Sequence, residues 1–218
     1  MADVFVASLA SLWSKAPSRT LQRLILGTKE LRRADASSVS SRASAADYRW
    51  TGGTAATQSH RRRLVHAYVE TLSRELGIAS WSHSEGTSDD DPPPGTHLDP
   101  HVSAFLRSAA IGASGNLPSM AFARFPNFMV MDTANLYLPT AFDGVFVGLP
   151  HIIGSAPRLA DELRDLAGFL GLDTSQRAWW RTPALVNDTP QRRALYNLQL
   201  LGIACSQSAD SSLPVMIR

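Results

Sequence analysis

One cysteine in 218 residues, Cys205, leaves no internal disulfide framework and no cysteine-based zinc site. Lysine is almost as scarce: Lys15 and Lys29 stand alone, and 19 of the 21 cations are arginine. No apolar run approaches the ~18 residues that a membrane-spanning helix needs. The longest, residues 145–153, is broken by Gly148 and Pro150. No secretory signal is expected, because Asp3 stands where a basic segment would open one. Charged residues are only 18% of the chain against 44% hydrophobic, with a formal net charge of +2, so a histone-like protein is excluded and a sizeable core is allowed. Residues 1–218 therefore read as a single domain with no membrane contact.

What is present is mostly helical patterning. Val4, Phe5, Ser8, Leu9, Leu12 and Trp13 recur at helical spacing, and Pro17 ends that segment. A second predicted helix has Ser18 as its N-cap, turns Leu21, Leu24, Ile25 and Leu31 inward, and ends on Arg32 and Arg33, where cations suit the helix dipole. Residues 1–45 thus read as a helical N-terminal extension packing on or between subunits. Their Ser, Ala and Arg content also has something of an organellar transit segment. Leu64, Val65, Tyr68, Val69, Leu72 and Leu76 predict a helix over 59–76 that Gly77 stops. Residues 78–98, with three aspartates and three prolines in a row, read as an exposed loop.

A short helix is expected over 100–111, and residues 120–149 suit short strands or a hairpin. Ser155 and Pro157 open a helix with Leu159, Leu163, Leu166 and Leu170 inward, stopped by Gly171. A final helix starts near Thr189 and carries Leu195, Leu198, Leu201 and Cys205. The expected fold class is mainly α: a helical bundle with a small β-hairpin or short-strand element and long loops.

Two helix starts carry arginine where helix stability would favour acid. Arg61, Arg62 and Arg63 lie in the first turn of the 59–76 helix, and Arg192 and Arg193 in the first turn of the last. A helix N-terminus already bears about half a positive charge, so these placements oppose the macrodipole. Free N–H groups beside guanidinium forks make a ready phosphate site. The plain alternative is pairing with carboxylates, for instance Asp89, Asp90 and Asp91.

His97, Asp99 and His101 alternate, and on a strand would share one face as metal ligands. His97 and Asp99, with a distant His151 and Arg158, also have the form of a facial triad of iron/2-oxoglutarate oxygenases, but the flanking strands of that family are missing. His83, Gly86, Ser88 and Asp90 resemble the first zinc-ligand motif of D-Ala-D-Ala peptidases without its later Trp-His element. A solvated loop is the alternative for both segments.

Three stretches in order resemble coat proteins of rod-shaped single-stranded RNA viruses of the tobacco mosaic virus type. They are the aromatic N-terminal segment from Phe5 to Trp13, Ala56-Thr57-Gln58-Ser59-His60-Arg61 running into a helix, and Arg124-Phe125-Pro126-Asn127 followed by an apolar stretch. The resemblance implies a four-helix bundle that polymerises on RNA, with Arg192 and Arg193 opening a helix that grips it. The 82–95 loop, and the length between Arg124 and Arg192, depart from that pattern.

The expected function is accordingly a non-enzymatic assembly subunit, a viral coat or nucleocapsid protein of virion or cytoplasm. It partners with itself and with single-stranded RNA through Arg61, Arg62, Arg63, Arg192 and Arg193, and needs no cofactor. The alternative is a soluble metal-dependent hydrolase or oxygenase using His97, Asp99 and His101.

Overall fold

The computed structural model describes residues 2–14, 16–36, 38–39, 57–81, 96–98, 100–131, 135–148, 152–174 and 189–217. Strand β1 (Ala2–Val6) leads to a single helical turn, α1 (Leu9–Leu12), where the Ser8 hydroxyl caps the Ser11 N–H. Helix α2 (Ser18–Gly27) passes into a 3-10 turn (Thr28–Glu30) and strand β2 (Arg32–Arg33). Helix α3 (Gln58–Leu76) precedes strand β3 (Thr96–Leu98). Helices α4 (Pro100–Ala113), α5 (Pro118–Arg124) and α6 (Pro126–Met129) follow. Strands β4 (Asn135–Leu138), β5 (Phe146–Val147) and β6 (Ile152–Ser155) come next, then helices α7 (Ala156–Phe169) and α8 (Pro190–Ser211), and strand β7 (Val215–Ile217).

The seven strands form one mixed sheet in the order β2-β5-β6-β4-β7-β1-β3. Only β4 and β6 pair in parallel; the other neighbours are antiparallel. Side chains alternate along each strand and so divide the core into two halves. Val4, Tyr137, Ile152, Val215 and Ile217 turn toward the layer built from α4 to α8. Phe5, Leu136, Leu138, Ile153 and Met216 turn toward α1, α2 and α3, where the Trp13 ring meets Tyr68 edge-on at 5.1 Å. A sheet buried on both faces needs apolar residues on both, which is why Leu136, Tyr137 and Leu138 are all buried in succession.

Mainly α is the right class for the described residues, but a small hairpin understates the sheet. The architecture is a three-layer sandwich rather than a bundle. Residues 2–6 are not helical, because β1 gains two strand neighbours, β7 and β3, that a lone helical turn would lack. The described part of residues 1–45 is built into the fold rather than extending from it: β1 sits within the sheet, and α2 packs against α3. The second helix stops at Gly27 instead of reaching Arg32 and Arg33. Glycine weakens helix by ~1 kcal/mol relative to alanine, and the Thr28 hydroxyl bonds the Ile25 carbonyl at 2.7 Å to tighten the last turn. Within the 120–149 stretch, β4 and β5 are the short strands expected, but residues 120–124 and 126–129 are helical, since Pro118 and Pro126 each open a short helix. The 78–98 loop is bounded by buried Trp81 on one side and β3 on the other, while 82–95 lies outside the described residues.

Candidate functional site

Neither arginine-bearing helix has acid in its first turn; α8 holds Arg192 and Arg193 there, but α3 begins at Gln58, so Arg61 closes its first turn and Arg62 and Arg63 lie in the second. The two helix starts are, however, on opposite sides of the sheet. α3 contributes Val65, Tyr68, Val69 and Leu72 to one half of the core; α8 contributes Ala194, Leu198, Leu201 and Cys205 to the other. No single phosphate can be shared between them within one chain.

Their side chains also differ. Arg61 falls on the inward stripe with Val65 and Tyr68, and is buried. Arg62 and Arg63 are exposed. In α8 the Thr189 hydroxyl caps the Arg192 N–H, leaving Arg192 half-buried and Arg193 exposed. Arg61, Arg192 and Arg193 each already take part in an interaction within the chain.

The alternation of His97, Asp99 and His101 does not lie on one strand. β3 ends at Leu98 and α4 begins at Pro100, so the backbone changes from a period of two to one of 3.6 between the histidines. His97 sits opposite Asp3 in the β1–β3 register and its Nδ1 meets that carboxylate at the protein surface. Asp99 and His151 lie outside the described residues, as does the His83 to Asp90 motif. Among the described residues, no group of three or more His, Cys, Asp or Glu is placed to hold a metal.

A constellation that the sequence reading did not assemble lies where α6 meets α7. Glu162 is buried there with three N–H donors on its carboxylate. Asn127 Nδ2 donates to Oε1 at 2.6 Å, the Asn127 backbone N–H to the same oxygen at 3.2 Å, and the Phe128 N–H to Oε2 at 2.7 Å. Asn127 continues the chain of bonds: its Oδ1 accepts from the Ser155 N–H at 2.8 Å, and its carbonyl accepts from the Tyr137 hydroxyl at 2.8 Å. The Ser155 hydroxyl donates to the Thr140 carbonyl and caps α7 by accepting the Arg158 N–H. Arg124-Phe125-Pro126-Asn127 is thus a fold lock, with the Arg124 guanidinium bonded to the Ala113 carbonyl at 2.6 Å and lying over the Phe125 ring.

Burial pushes the Glu162 carboxyl up to about 7, against the lowering pull of its N–H donors. Burial and the Glu162 charge push the Cys205 thiol up to about 12, so it stays protonated and behaves as a small apolar group. With both Glu162 oxygens engaged and the cluster buried between sheet and helices, these groups hold α6 against α7. One signal could have found the cluster: Glu162 occupies a core position in the stripe of Leu159, Leu163 and Leu166.

The surface is sorted by layer. Among the described residues, Phe105, Leu117, Met120, Phe169, Tyr196 and Ile203 are large apolar side chains left exposed on the α4–α8 layer, and only Leu26 is so on the other. The Phe169 ring lies beside Gly112 of α4, close to the turn that leads to Leu117. Searches of protein-family models, curated proteins and solved structures find nothing that matches this chain.

Proposed function

We propose that the chain is a non-enzymatic assembly subunit of the coat or nucleocapsid kind, self-associating through its α4–α8 layer and holding single-stranded RNA with arginines. The observation that carries the reading is the one-sided distribution of large exposed apolar residues, six on that layer against one on the other. Exposed large apolar side chains on one layer supply the apolar contacts that a self-association surface needs. The three-layer architecture departs from the bundle of rod-shaped virus coats, so assembly is argued from the surface and not from fold likeness.

Magnitudes favour repeated weak contacts. A large apolar side chain contributes ~1.5–3 kcal/mol when fully buried, while association costs ~4–15 kcal/mol. Six partly exposed side chains, spread over one layer, suit a subunit multiplied around a ring or filament better than a tight isolated pair. The arginine arm rests on Arg62 and Arg63, exposed at a helix start without first-turn acid. The metal-dependent alternative loses its geometric premise, because His97 and His101 do not share a strand.

The test is gentle purification followed by light scattering across a concentration series, the A260/A280 ratio, and negative-stain imaging. Rings, rods or concentration-dependent oligomers with co-purifying nucleic acid are expected. A monodisperse monomer free of RNA at all concentrations overturns the proposal.

A further inference from the structure

Partner accounting for the cations divides the molecule. In the α4–α8 layer every described arginine is already engaged. Arg107 donates to the Met129 carbonyl, Arg124 to that of Ala113, Arg158 to Asp143, and Arg164 pairs with Asp161. Arg192 and Arg193 also have partners within the chain. On α2, the 3-10 turn, β2 and α3, Arg61 and Arg74 have partners but most of the cations do not. Among the described residues, the side chains of Arg19, Arg23, Lys29, Arg32, Arg62 and Arg63 meet no carboxylate and no other acceptor. All six are exposed. Of the acids on this layer, Glu70 faces His66, Glu75 faces Arg74 and Asp35 caps the Ser38 N–H, while Glu30 stands exposed beside Lys29 as a single carboxylate among these cations.

A second, independent feature lies at the same edge. Among the described strands β2 is one of the two edges of the sheet, and Arg33 stands opposite Phe146 in its pairing with β5. The Arg33 guanidinium lies 5.9 Å from the Phe146 ring centre, and that ring meets Phe142 at 5.7 Å between centroids. Both phenylalanines are only half-buried. Because side chains alternate along a strand, Arg32 projects to the other side of the edge, so the two guanidinia straddle it.

We propose that the β2 edge, with Lys29, Arg32, Arg33, Phe142 and Phe146, is a binding surface for single-stranded nucleic acid. This rests on the RNA arm of the reading above and moves its main contact from the helix starts to the sheet edge. The free cations meet phosphates, and the Arg33–Phe146–Phe142 stack offers faces on which unpaired bases lie. A duplex would use the charges but not the stack. A lipid surface fits less well, since among the described residues Leu26 is the one large apolar side chain fully offered on this layer.

The experiment is fluorescence anisotropy of the full chain with labelled oligouridine of about 20 nucleotides over a salt series. Each phosphate neutralised on a single strand adds ~0.7 to the log–log salt slope. The combined Lys29→Gln, Arg32→Gln and Arg33→Gln variant should lower that slope by ~2. Phe142→Leu, which keeps the apolar contact, should weaken binding about tenfold with the slope unchanged. Arg164→Gln should bind as the parent does.

Parent binding that survives the triple variant intact, but falls in Arg62→Gln/Arg63→Gln, overturns this surface and leaves the RNA reading standing. No binding by the parent overturns both. Equal affinity for a duplex of the same length, or binding to phosphatidylserine vesicles without binding to oligouridine, overturns the single-strand assignment.

Discussion

Asn127 turns both ends of its amide to use: Nδ2 donates to Glu162 Oε1 at 2.6 Å while Oδ1 accepts from the Ser155 N–H at 2.8 Å. One buried side chain therefore ties α6, α7 and the end of β6 together. Its environment leaves no room for a change of donor or acceptor.

Replacing Asn127 tests that statement most directly. Asn127→Ala strands the Ser155 N–H and removes a donor from the Glu162 carboxylate, and a buried group left without its partner costs ~1–3 kcal/mol. Asn127→Asp sets a second carboxylate against Glu162 and should cost more. Urea denaturation should rank the parent above Asn127→Ala, and Asn127→Asp last.

Glu162 makes stability depend on pH with a definite sign. Its carboxyl titrates at about 7 in the folded state against 4.5 for the free side chain. Between those values the native protein holds a proton that the unfolded chain has released. The contribution is therefore complete below pH ~4.5 and is lost as pH rises through 7, on the order of 3 kcal/mol over the window. Glu162→Gln should abolish that component in denaturation curves taken from pH 4.5 to 7.5. It should also lower stability at every pH, since its amide NH2 would face a backbone N–H. A Gln variant with the parent's pH slope would assign the titration to another group.

Gly154 is required for a different reason. A Cβ at that position would come within 2.7 Å of both Asn127 Oδ1 and the Tyr137 ring. Gly154→Ala should cost ~1–3 kcal/mol by overpacking. Gly168, in α7, has nothing nearer than the Thr174 hydroxyl at 3.9 Å. Gly168→Ala should stabilise by up to ~1 kcal/mol through helix propensity. Thermal melts of the two variants should move in opposite directions.

The exposed layer can be changed without touching the core. Leu117→Gln, Met120→Gln and Tyr196→Gln together should shift sedimentation toward monomer. The melting temperature should barely move, because surface substitutions usually stay within about 0.5 kcal/mol. Unchanged sedimentation in a protein that does oligomerise would place its contact elsewhere.

The long helices were legible because each carries its own punctuation. Gly77 adopts φ 65° after α3, Ser155 caps α7 and Gly171 follows it at φ 74°, and Thr189 caps α8. The sheet was not legible, for two physical reasons. Its strands are two to five residues long, and over such a window the positions of Val4, Phe5 and Leu9 fit a helix as well as a strand. Strand pairing is also nonlocal, so nothing near Val4 announces that its neighbour is Ile217. The candidate sites divide similarly. Arg62 and Arg63 could be placed from the helix pattern alone. Arg33 against Phe146 needed the edge of a sheet, and Asn127 against Glu162 needed a contact 35 residues apart.

The pairing of β1 with β7 also orders events during synthesis. The strand at Val215–Ile217 separates β4 from β1 in the finished sheet, bonding to both. Until it leaves the ribosome, the half holding β1 and β3 has no strand joining it to the half holding β2, β5, β6 and β4. Each half exposes an open strand edge for that interval, the kind of surface that recruits other chains. Among the described strands β7 is the bolt made last, and a nascent chain stalled before Val215 holds the two halves of the sheet unjoined.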